Sequence, residues 1–202
     1  MNENNFIIKD IPDGETQHEY AVKEASMLTL ILIMTHSCGA SVRVHLAGRG
    51  ARARIVGVAV GKDHTSIKLH TEQLHEAPDT TSSLLVKGIF SGQSTFLYDG
   101  AIRVEKVAQH TDAYQRNENL LLSREAFAES KPSLEILAND VRCTHGATIS
   151  SLPKDQLWYM ASRGIGSKEA SNLIVAGFIQ SALTNVPEQY AKKVVDKALH
   201  AL

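Results

Sequence analysis

Short runs rich in Val, Ile and Leu recur between about residues 27 and 148, and no other feature constrains the fold as strongly. Clusters of Gly, Asp, Ser or Thr separate the runs, and none of the intervening stretches offers a long amphipathic helix. Apolar and charged residues alternate within several runs, namely residues 42–46, 67–69, 102–104 and 134–136. Alternation with a period of two is typical of β-strands. The chain is therefore predicted to be mainly β over this region.

The longest apolar run covers residues 27–34 and is interrupted by Thr29. It is far shorter than the roughly 20 residues that a membrane span needs, so it predicts a buried strand. A sandwich, a barrel or a β-solenoid could all produce strands at this spacing, and periodicity does not choose among them. The chain has no strict hexapeptide repeat, which argues against a left-handed solenoid of the acyltransferase type.

The residues after 150 change character and predict three helices. Pro153 is placed to open the first helix and Gly164 to close it, Ser167 is the predicted N-cap of the second, and Pro187 opens the third. The residues expected on the apolar faces are Leu157, Met160 and Ala161 in the first helix, Ala170, Leu173, Ile174, Gly177, Phe178 and Ala182 in the second, and Tyr190, Val194, Ala198 and Leu202 in the third. A unit this small is only marginally stable alone, so we expect it to dock on the β-region or on a partner.

Composition and charge narrow the functional classes. The 202 residues suffice for one sizeable core, or for one domain with a small appendage. The formal net charge of −1 gives no general attraction to nucleic acid or to an anionic membrane. Two cysteines, Cys38 and Cys143, are too few for a disulfide framework, and the chain opens with no secretory signal pattern. These features predict a cytoplasmic protein that binds neither nucleic acid nor membrane.

Cys143 and His145 form the most informative motif, because they stand two residues apart at the end of a strand-like run and just before the helical tail. In an extended chain residues i and i+2 project to the same face, so this thiol and imidazole could meet one soft metal or sulfur ligand. A buried Cys also packs as a small hydrophobe, and an isolated His is usually a surface or core residue. The spacing by itself leaves both interpretations open.

Longer blocks surround this motif, at residues 75–83, 88–90, 98–104, 108–123, 131–148 and 155–165. In sequence and in order they resemble the SufB/SufD family, the scaffold proteins of SUF-type iron–sulfur cluster assembly. The resemblance is good from about Gln73 to the C-terminus and loose before it. SufB-like members typically carry Glu after the motif histidine, whereas this chain has Gly146, which favours the SufD-like branch. Relative to the family the chain is shortened at the N-terminus, and Asp79 and Asn139 replace a common His and Asp.

The resemblance implies a fold, a function and partners. The implied fold is a right-handed parallel β-helix over residues 1–150, followed by a C-terminal domain of about three helices over residues 151–202. The implied function is that of a non-enzymatic scaffold subunit, which works with a SufB-like subunit and binds a SufC-like ABC ATPase through its C-terminal helices. Such subunits pair through their β-helices, so we expect a homodimer or a heterodimer.

The resemblance also places Cys143 and His145 near the pairing surface, where a nascent cluster assembles. His145 matches the SufD histidine and Cys143 the preceding cysteine, so both are candidate ligands for iron or for a transient iron–sulfur cluster at the subunit interface. A cluster ordinarily takes four ligands, so the others must come from another chain or from elsewhere in this one. We expect no permanently bound cofactor.

Other candidate ligands have weaker support. His64, His70 and His75 fall close together, but none repeats a zinc-ligand spacing, and turn or structural roles are expected. Cys38 is predicted to be a buried thiol at a strand end. Polar residues within 111–119 are expected in turns, where they bond the backbone of a neighbouring coil.

The chain lacks a phosphate-binding loop and should not hydrolyse ATP. A β-helix enzyme acting on carbohydrate and a simple Cys/His metal-binding module are the alternatives.

Overall fold

The computed structural model describes residues 4–202. Eleven strands occupy the described chain up to residue 151, and helices follow. The strands are β1 (Asn4–Asp10), β2 (Gly14–Val22), β3 (Met27–Met34), β4 (Cys38–Leu46), β5 (Arg52–Gly61), β6 (Ser66–His75), β7 (Thr81–Phe90), β8 (Thr95–Val104), β9 (Asp112–Leu121), β10 (Phe127–Ile136) and β11 (Arg142–Ser151). The long apolar run is β3, as predicted, and two further strands precede it.

These strands pair in parallel within two sheets. Sheet A contains the odd-numbered strands in the order β1-β3-β5-β7-β9-β11, and sheet B contains the even-numbered strands in the order β10-β8-β6-β4-β2. The chain thus alternates between the sheets, and each coil stacks in parallel register on the one before. The result is a β-solenoid, so the predicted parallel β-helix is confirmed over the sandwich and the barrel.

Alternate residues of each strand point into the solenoid and form its core. On β4, Val42 and Val44 are buried while Arg43 between them is exposed. In-register stacking places inward side chains of successive coils on top of one another, so they pack in columns. Phe90 and Phe96, from the two sheets of one coil, stack with ring centroids 5.0 Å apart. The apolar core therefore runs along the solenoid axis.

One corner of the solenoid consists of stacked turns, each joining an even strand to the next odd strand. Ala25, Gly50, Asp79 and His110 take equivalent places in these turns, with positive φ values of 51° to 69°. The backbone N–H of each donates to a carbonyl oxygen in the next coil's turn, over 2.6 to 3.2 Å. The left-handed conformation thus recurs where the turn N–H must reach the adjacent coil.

The C-terminal helices are α1 (Lys154–Ser162), α2 (Ser167–Gln180) and α3 (Glu188–His200), with a short 3-10 helix at Ser181–Leu183. Pro153 and Pro187 immediately precede α1 and α3, and Gly164 follows α1 with a φ of 81°. The predicted N-cap of α2 is wrong by one residue, because Gly166 holds that place and Ser167 is the first helical residue. Of the described helices, none has both the length and the apolar character of a membrane span.

The helices pack on the outer face of sheet A through a second apolar cluster. It contains Ile31, Ile33, Val56, Val58, Val60, Ile89 and Leu120 of the sheet and Val175, Ile179, Ala182, Leu183, Val186, Val194 and Ala198 of the helical unit. The unit thus docks on the β-region, as expected for its size. The prediction that Leu173 and Gly177 would be buried is wrong, because the sheet meets the face of α2 that carries Val175 and Ile179.

Charged contacts also join the helices to sheet A. Lys87 on β7 is 5 % exposed and forms an ion pair with Glu118 on β9. Its ammonium also lies 4.1 Å from the ring centroid of Phe178 on α2, so the aromatic ring covers the ion pair. At the other end of the unit, Lys197 Nζ lies 2.6 Å from Asp10 Oδ1. These contacts fix where the helices lie on the sheet.

Candidate functional site

Cys143 and His145 lie on β11, the last described strand of sheet A. Residues 137–141 separate β10 from β11, so the motif belongs to its own strand and not to the end of the preceding run. Cys143 pairs with Ala113 and His145 with Gln115 on β9. Because these two partners are buried and point into the solenoid, the thiol and the imidazole also project from the inner face. The structure therefore places both side chains on one face.

This end of the solenoid is open, because among the described residues β10 and β11 each have a neighbouring strand on one side only. Several side chains that point inward from these two strands are consequently exposed. Leu134 and Ile136 on β10 are 36 % and 38 % exposed, and Ile149 on β11 is 46 % exposed. His145 is exposed beside them, and Cys143 is half-buried. The motif thus lies in a largely apolar surface bounded by unpaired sheet edges, which is suited to a partner.

The two thiols of the chain have different environments. Burial raises the pKa of the Cys143 thiol and the carboxylate of Asp112 acts in the same direction, whereas a backbone hydrogen bond with Ala113 partly opposes them. Cys38 is buried at the start of β4, as predicted, and burial raises its pKa to about 11. The raised pKa favours the protonated Cys143 thiol, whose proton a metal or sulfur ligand would displace.

Amide side chains line the interior beside the motif. Gln115, Asn117 and Asn119 point inward from β9 and are at most 1 % exposed. Asn119 Nδ2 donates to Asn117 Oδ1 over 2.7 Å, and Asn117 Nδ2 donates to the carbonyl oxygen of Val86 on the adjacent coil. Gln115 Oε1 accepts a hydrogen bond from Gln73. The expectation that these residues stand in turns is wrong, since they belong to a strand with polar side chains on both faces.

The other candidate histidines do not join the motif. His75 is fully buried, with Nδ1 2.8 Å from Thr80 Oγ1 and Nε2 2.9 Å from Ser82 Oγ, and burial lowers its pKa to about 4. His70 points outward from β6, and His64 lies in an exposed turn. Residues 4–202 contain no group of three or more His, Cys, Asp or Glu side chains placed to hold a metal. The structure thus gives His75 a structural environment, and within the described chain it brings no third His, Cys, Asp or Glu ligand to Cys143 and His145.

A second exposed surface lies on α1 and α2, within the C-terminal helices that the family resemblance implies to be a partner-binding region. No residue of α1 is buried, and Trp158 and Tyr159 are 74 % and 55 % exposed. Leu173 on α2 is 50 % exposed, and the guanidinium of Arg163 lies 5.2 Å from the Tyr159 ring centroid. Several large apolar side chains left exposed on a docked helical unit are typical of an interaction surface.

The fold and the site together define a class of protein, a parallel β-solenoid with a thiol and an imidazole at its open end and a helical unit on one sheet. A sequence profile of the SUF system FeS cluster assembly SufBD core domain matches residues 16–178. The chain therefore belongs to the SufB/SufD family.

Similar proteins point to the SufD-like branch. The chain is 31 % identical to the iron-sulfur cluster assembly protein SufD of Escherichia coli over 173 residues, which cover 82 % of this chain and 41 % of that protein. It is 35 % identical to an iron-sulfur cluster assembly SufBD family protein of Synechocystis over 133 residues, or 66 % of this chain and 28 % of the relative. The chloroplastic protein ABCI7 of Arabidopsis thaliana is 38 % identical over 127 residues, or 61 % and 26 %. The matched region thus spans less than half of these relatives.

Proposed function

We propose that this chain is a non-enzymatic, SufD-like scaffold subunit of SUF-type iron–sulfur cluster assembly. The observation that carries the proposal is that Cys143 and His145 share the inner face of an edge strand at the open end of the solenoid. Membership of the SufB/SufD family and the names of its relatives support the same role. Neither the β-helix carbohydrate enzyme nor the isolated metal module has a comparable observation in its favour.

In this role the two side chains act as ligands for iron or for a nascent cluster, which is the cargo of the scaffold. Thiolate and neutral imidazole are soft and borderline ligands of the kind that iron and sulfide prefer. His145 is exposed and accessible to the cargo, while Cys143 must lose its proton when the ligand bond forms. Two ligands do not enclose a cluster, so the remaining ligands come from a second subunit.

A SufB-like subunit is the proposed partner at the open end. Seated on β10 and β11, it would cover Leu134, Ile136 and Ile149 and would shield the ligands from bulk water. The buried apolar side chains would supply the binding free energy, and the motif would lie within the interface. The cluster would then form between two chains and leave with no permanently bound cofactor on this one.

The test of this proposal is anaerobic co-expression with the SufB-like and SufC-like proteins of the same genome, followed by light scattering and by iron and sulfide analysis. We expect a stable complex in which His145→Ala lowers the iron and sulfide content without loss of assembly. His64→Ala is the matched control, because it removes an exposed turn histidine elsewhere, and it should leave both contents unchanged. No complex with wild type, or equal contents in wild type and His145→Ala, would contradict the proposal.

The SufC-like ATPase is the proposed partner of the exposed residues on α1 and α2. Trp158→Ala and Leu173→Ala remove large exposed side chains, so they should weaken ATPase binding at least tenfold while the β-solenoid stays folded. Ser171→Ala, a small change on α2, serves as the control. Unchanged binding of both variants in a titration with the purified ATPase would place the contact elsewhere.

A further inference from the structure

We propose that Gln109 and His110 are positioning residues that hold β11, and with it Cys143 and His145, in place at the open end of the solenoid. The inference rests on the proposed function in one respect only, namely that this function makes Cys143 and His145 ligands. The two side chains, together called the corner clamp, lie in the turn between β8 and β9 and contact Asn139 and Asp140 in the turn that leads into β11.

The need for a clamp follows from the position of β11. The strand pairs with β9 alone, so the hydrogen bonds of only one ladder hold its backbone. Most of its side chains are exposed, so little apolar burial adds to those bonds. Edge strands of this kind open locally at low free-energy cost, and opening of β11 would displace both ligands.

The corner clamp contacts both backbone and side chain. Gln109 Oε1 accepts hydrogen bonds from the backbone N–H groups of Asn139 and Asp140, over 3.3 and 3.0 Å. Gln109 Nε2 donates to the carbonyl oxygen of Lys106 over 2.8 Å, which fixes the amide within its own turn. The His110 N–H donates to the Asp140 carbonyl oxygen over 2.6 Å, and His110 Nε2 lies 3.3 Å from Asp140 Oδ2. Gln109 and His110 thus both bind the turn that contains Asn139 and Asp140.

The Gln109 part of the clamp is specific to the last corner, whereas ionic contacts between successive turns also occur in the earlier corners. In the earlier corners Ala25, Gly50 and Asp79 make the recurring backbone bond to the next coil. Among residues 4–202, no side chain in those corners accepts from the backbone N–H groups of the next coil's turn as Gln109 does. His110 is braced in addition by Asp79, whose Oδ1 lies 3.0 Å from His110 Nδ1, and Asp79 is in turn bonded by Arg49. The turn beside the motif therefore has two additional hydrogen bonds to Gln109, at the end where the described strands include no further coil.

The geometry has a direct consequence for the ligands. Asp140 lies three residues before Cys143, and the Arg142 N–H between them donates to the Thr111 carbonyl oxygen over 2.9 Å as the β11 ladder begins. Fixing residues 139 and 140 therefore fixes the residue at which β11 joins β9. If the clamp is removed, pairing should open from the start of the strand, and Cys143 is the first of the two ligands to be freed.

The test measures the alkylation rate of Cys143 and hydrogen exchange of the β11 amides by mass spectrometry, on the full chain. Gln109→Ala should raise the alkylation rate about tenfold, because two hydrogen bonds to the backbone are lost. Gln109→Glu retains an acceptor oxygen but loses the Nε2 donor to Lys106, so it should raise the rate less than Gln109→Ala does. Gln93→Ala, at an exposed glutamine in a turn of the opposite corner, should leave the rate unchanged.

Two results would overturn the inference: a wild-type alkylation rate in Gln109→Ala, or equal increases in the Ala and Glu variants. If Gln109→Ala unfolds, His110→Gln tests the same turn, and it should speed β11 exchange while the β5 and β7 amides stay protected. Iron content of the complex with the SufB-like protein is a separate readout, expected to fall in Gln109→Ala and not in Gln93→Ala. Absence of iron from the wild-type complex would contradict the proposed function and leave the clamp result intact.

Discussion

At the scale of single residues, the two cysteines should differ sharply in reactivity. Cys38 is 6 % exposed with a pKa of about 11, whereas Cys143 is half-buried at an open end. The thiolate is the reactive form, so iodoacetamide at pH 8 should modify Cys143 at least about tenfold faster than Cys38. Peptide mass spectrometry reads both sites, and Cys143→Ser should leave no fast phase. Faster modification of Cys38 would mean that β4 opens more readily than β11.

His75 should make the stability of the fold depend on pH. Its pKa falls from an ordinary value of 6.5 to about 4 because burial disfavours the charged imidazole. Between pH 4 and pH 6.5 the unfolded chain therefore binds more protons than the native chain. The free energy of unfolding is unaffected by protonation of His75 above pH 6.5, and it decreases as the pH falls toward 4. The loss should reach about 2 kcal/mol at pH 5. Urea denaturation at pH 7.5, 6 and 5 measures it.

The matched variants for that titration are His75→Gln and His64→Gln. The first removes the buried imidazole that bonds Thr80 and Ser82, so it should lower stability at pH 7.5 and flatten the curve between pH 6.5 and 5. The second changes an exposed turn and should retain the wild-type slope. A wild-type slope in His75→Gln would assign the pH dependence to other groups.

The sequence predicted part of the candidate site and missed part of it. The shared face of Cys143 and His145 follows from their spacing once the segment is extended, so it was accessible from sequence. That this face points into the solenoid depends on the register with Ala113 and Gln115, which pair from thirty residues away. The corner clamp of Gln109 and His110 was missed for the same reason, since its partners belong to the next coil.

At the scale of elements, apolar patterning decided which strands were predictable. β3 was found because seven of its eight residues are apolar. β9 was not, because Gln115, Asn117 and Asn119 face inward while charged residues face outward, and no hydrophobic alternation results. Pro153 and Pro187 correctly marked the starts of two helices, yet the prediction of which α2 residues are buried was wrong in part. Which face of a helix meets a sheet depends on tertiary packing, and several apolar residues compete for it.

The helical unit should owe its position to the face of α2 that meets sheet A. Ile179 is fully buried between α2 and the sheet, so Ile179→Ala should lower the free energy of unfolding by about 2–4 kcal/mol. Leu173→Ala is the matched control on the same helix, and because Leu173 is 50 % exposed it should change stability by less than about 0.5 kcal/mol. Urea denaturation gives both values, and limited proteolysis should cut α2 faster in the first variant. Similar values for the two variants would place the docking face elsewhere.

At the scale of the whole molecule, the stacked coils leave an end that must be covered. In a parallel solenoid each interior strand forms backbone hydrogen bonds with two neighbouring strands. Unpaired backbone groups and uncovered core residues therefore remain only at the ends of the solenoid. At the end of the solenoid formed by β10 and β11, the uncovered core residues include Leu134, Ile136 and Ile149. The register of these strands places all three on the inner face. A sequence shows that strands repeat, but the uncovered residues become visible only when the last coil is known.

Pairing through this end is the expected consequence, either between two copies or with a SufB-like chain. Light scattering at high micromolar concentration should therefore show a dimer of this chain, or a one-to-one complex after co-expression. Ile149→Lys places a charge in the apolar surface, so it should weaken pairing at least tenfold while the fold is retained. Leu97→Lys is the control, since Leu97 is 37 % exposed on the outer face of sheet B and not on the inner face that is uncovered at the open end.

Ile149→Lys and Leu97→Lys together distinguish a specific interface from nonspecific hydrophobic association. If exposed apolar residues merely aggregate, both substitutions should reduce association equally, because each removes a side chain of similar exposure. If the open end is the interface, Ile149→Lys alone disrupts pairing, and iron bound between the chains should be lost with it. A chain that stays monomeric at high micromolar concentration and does not bind the SufB-like protein would leave Cys143 and His145 without their missing ligands, and a two-subunit cluster site would then be wrong.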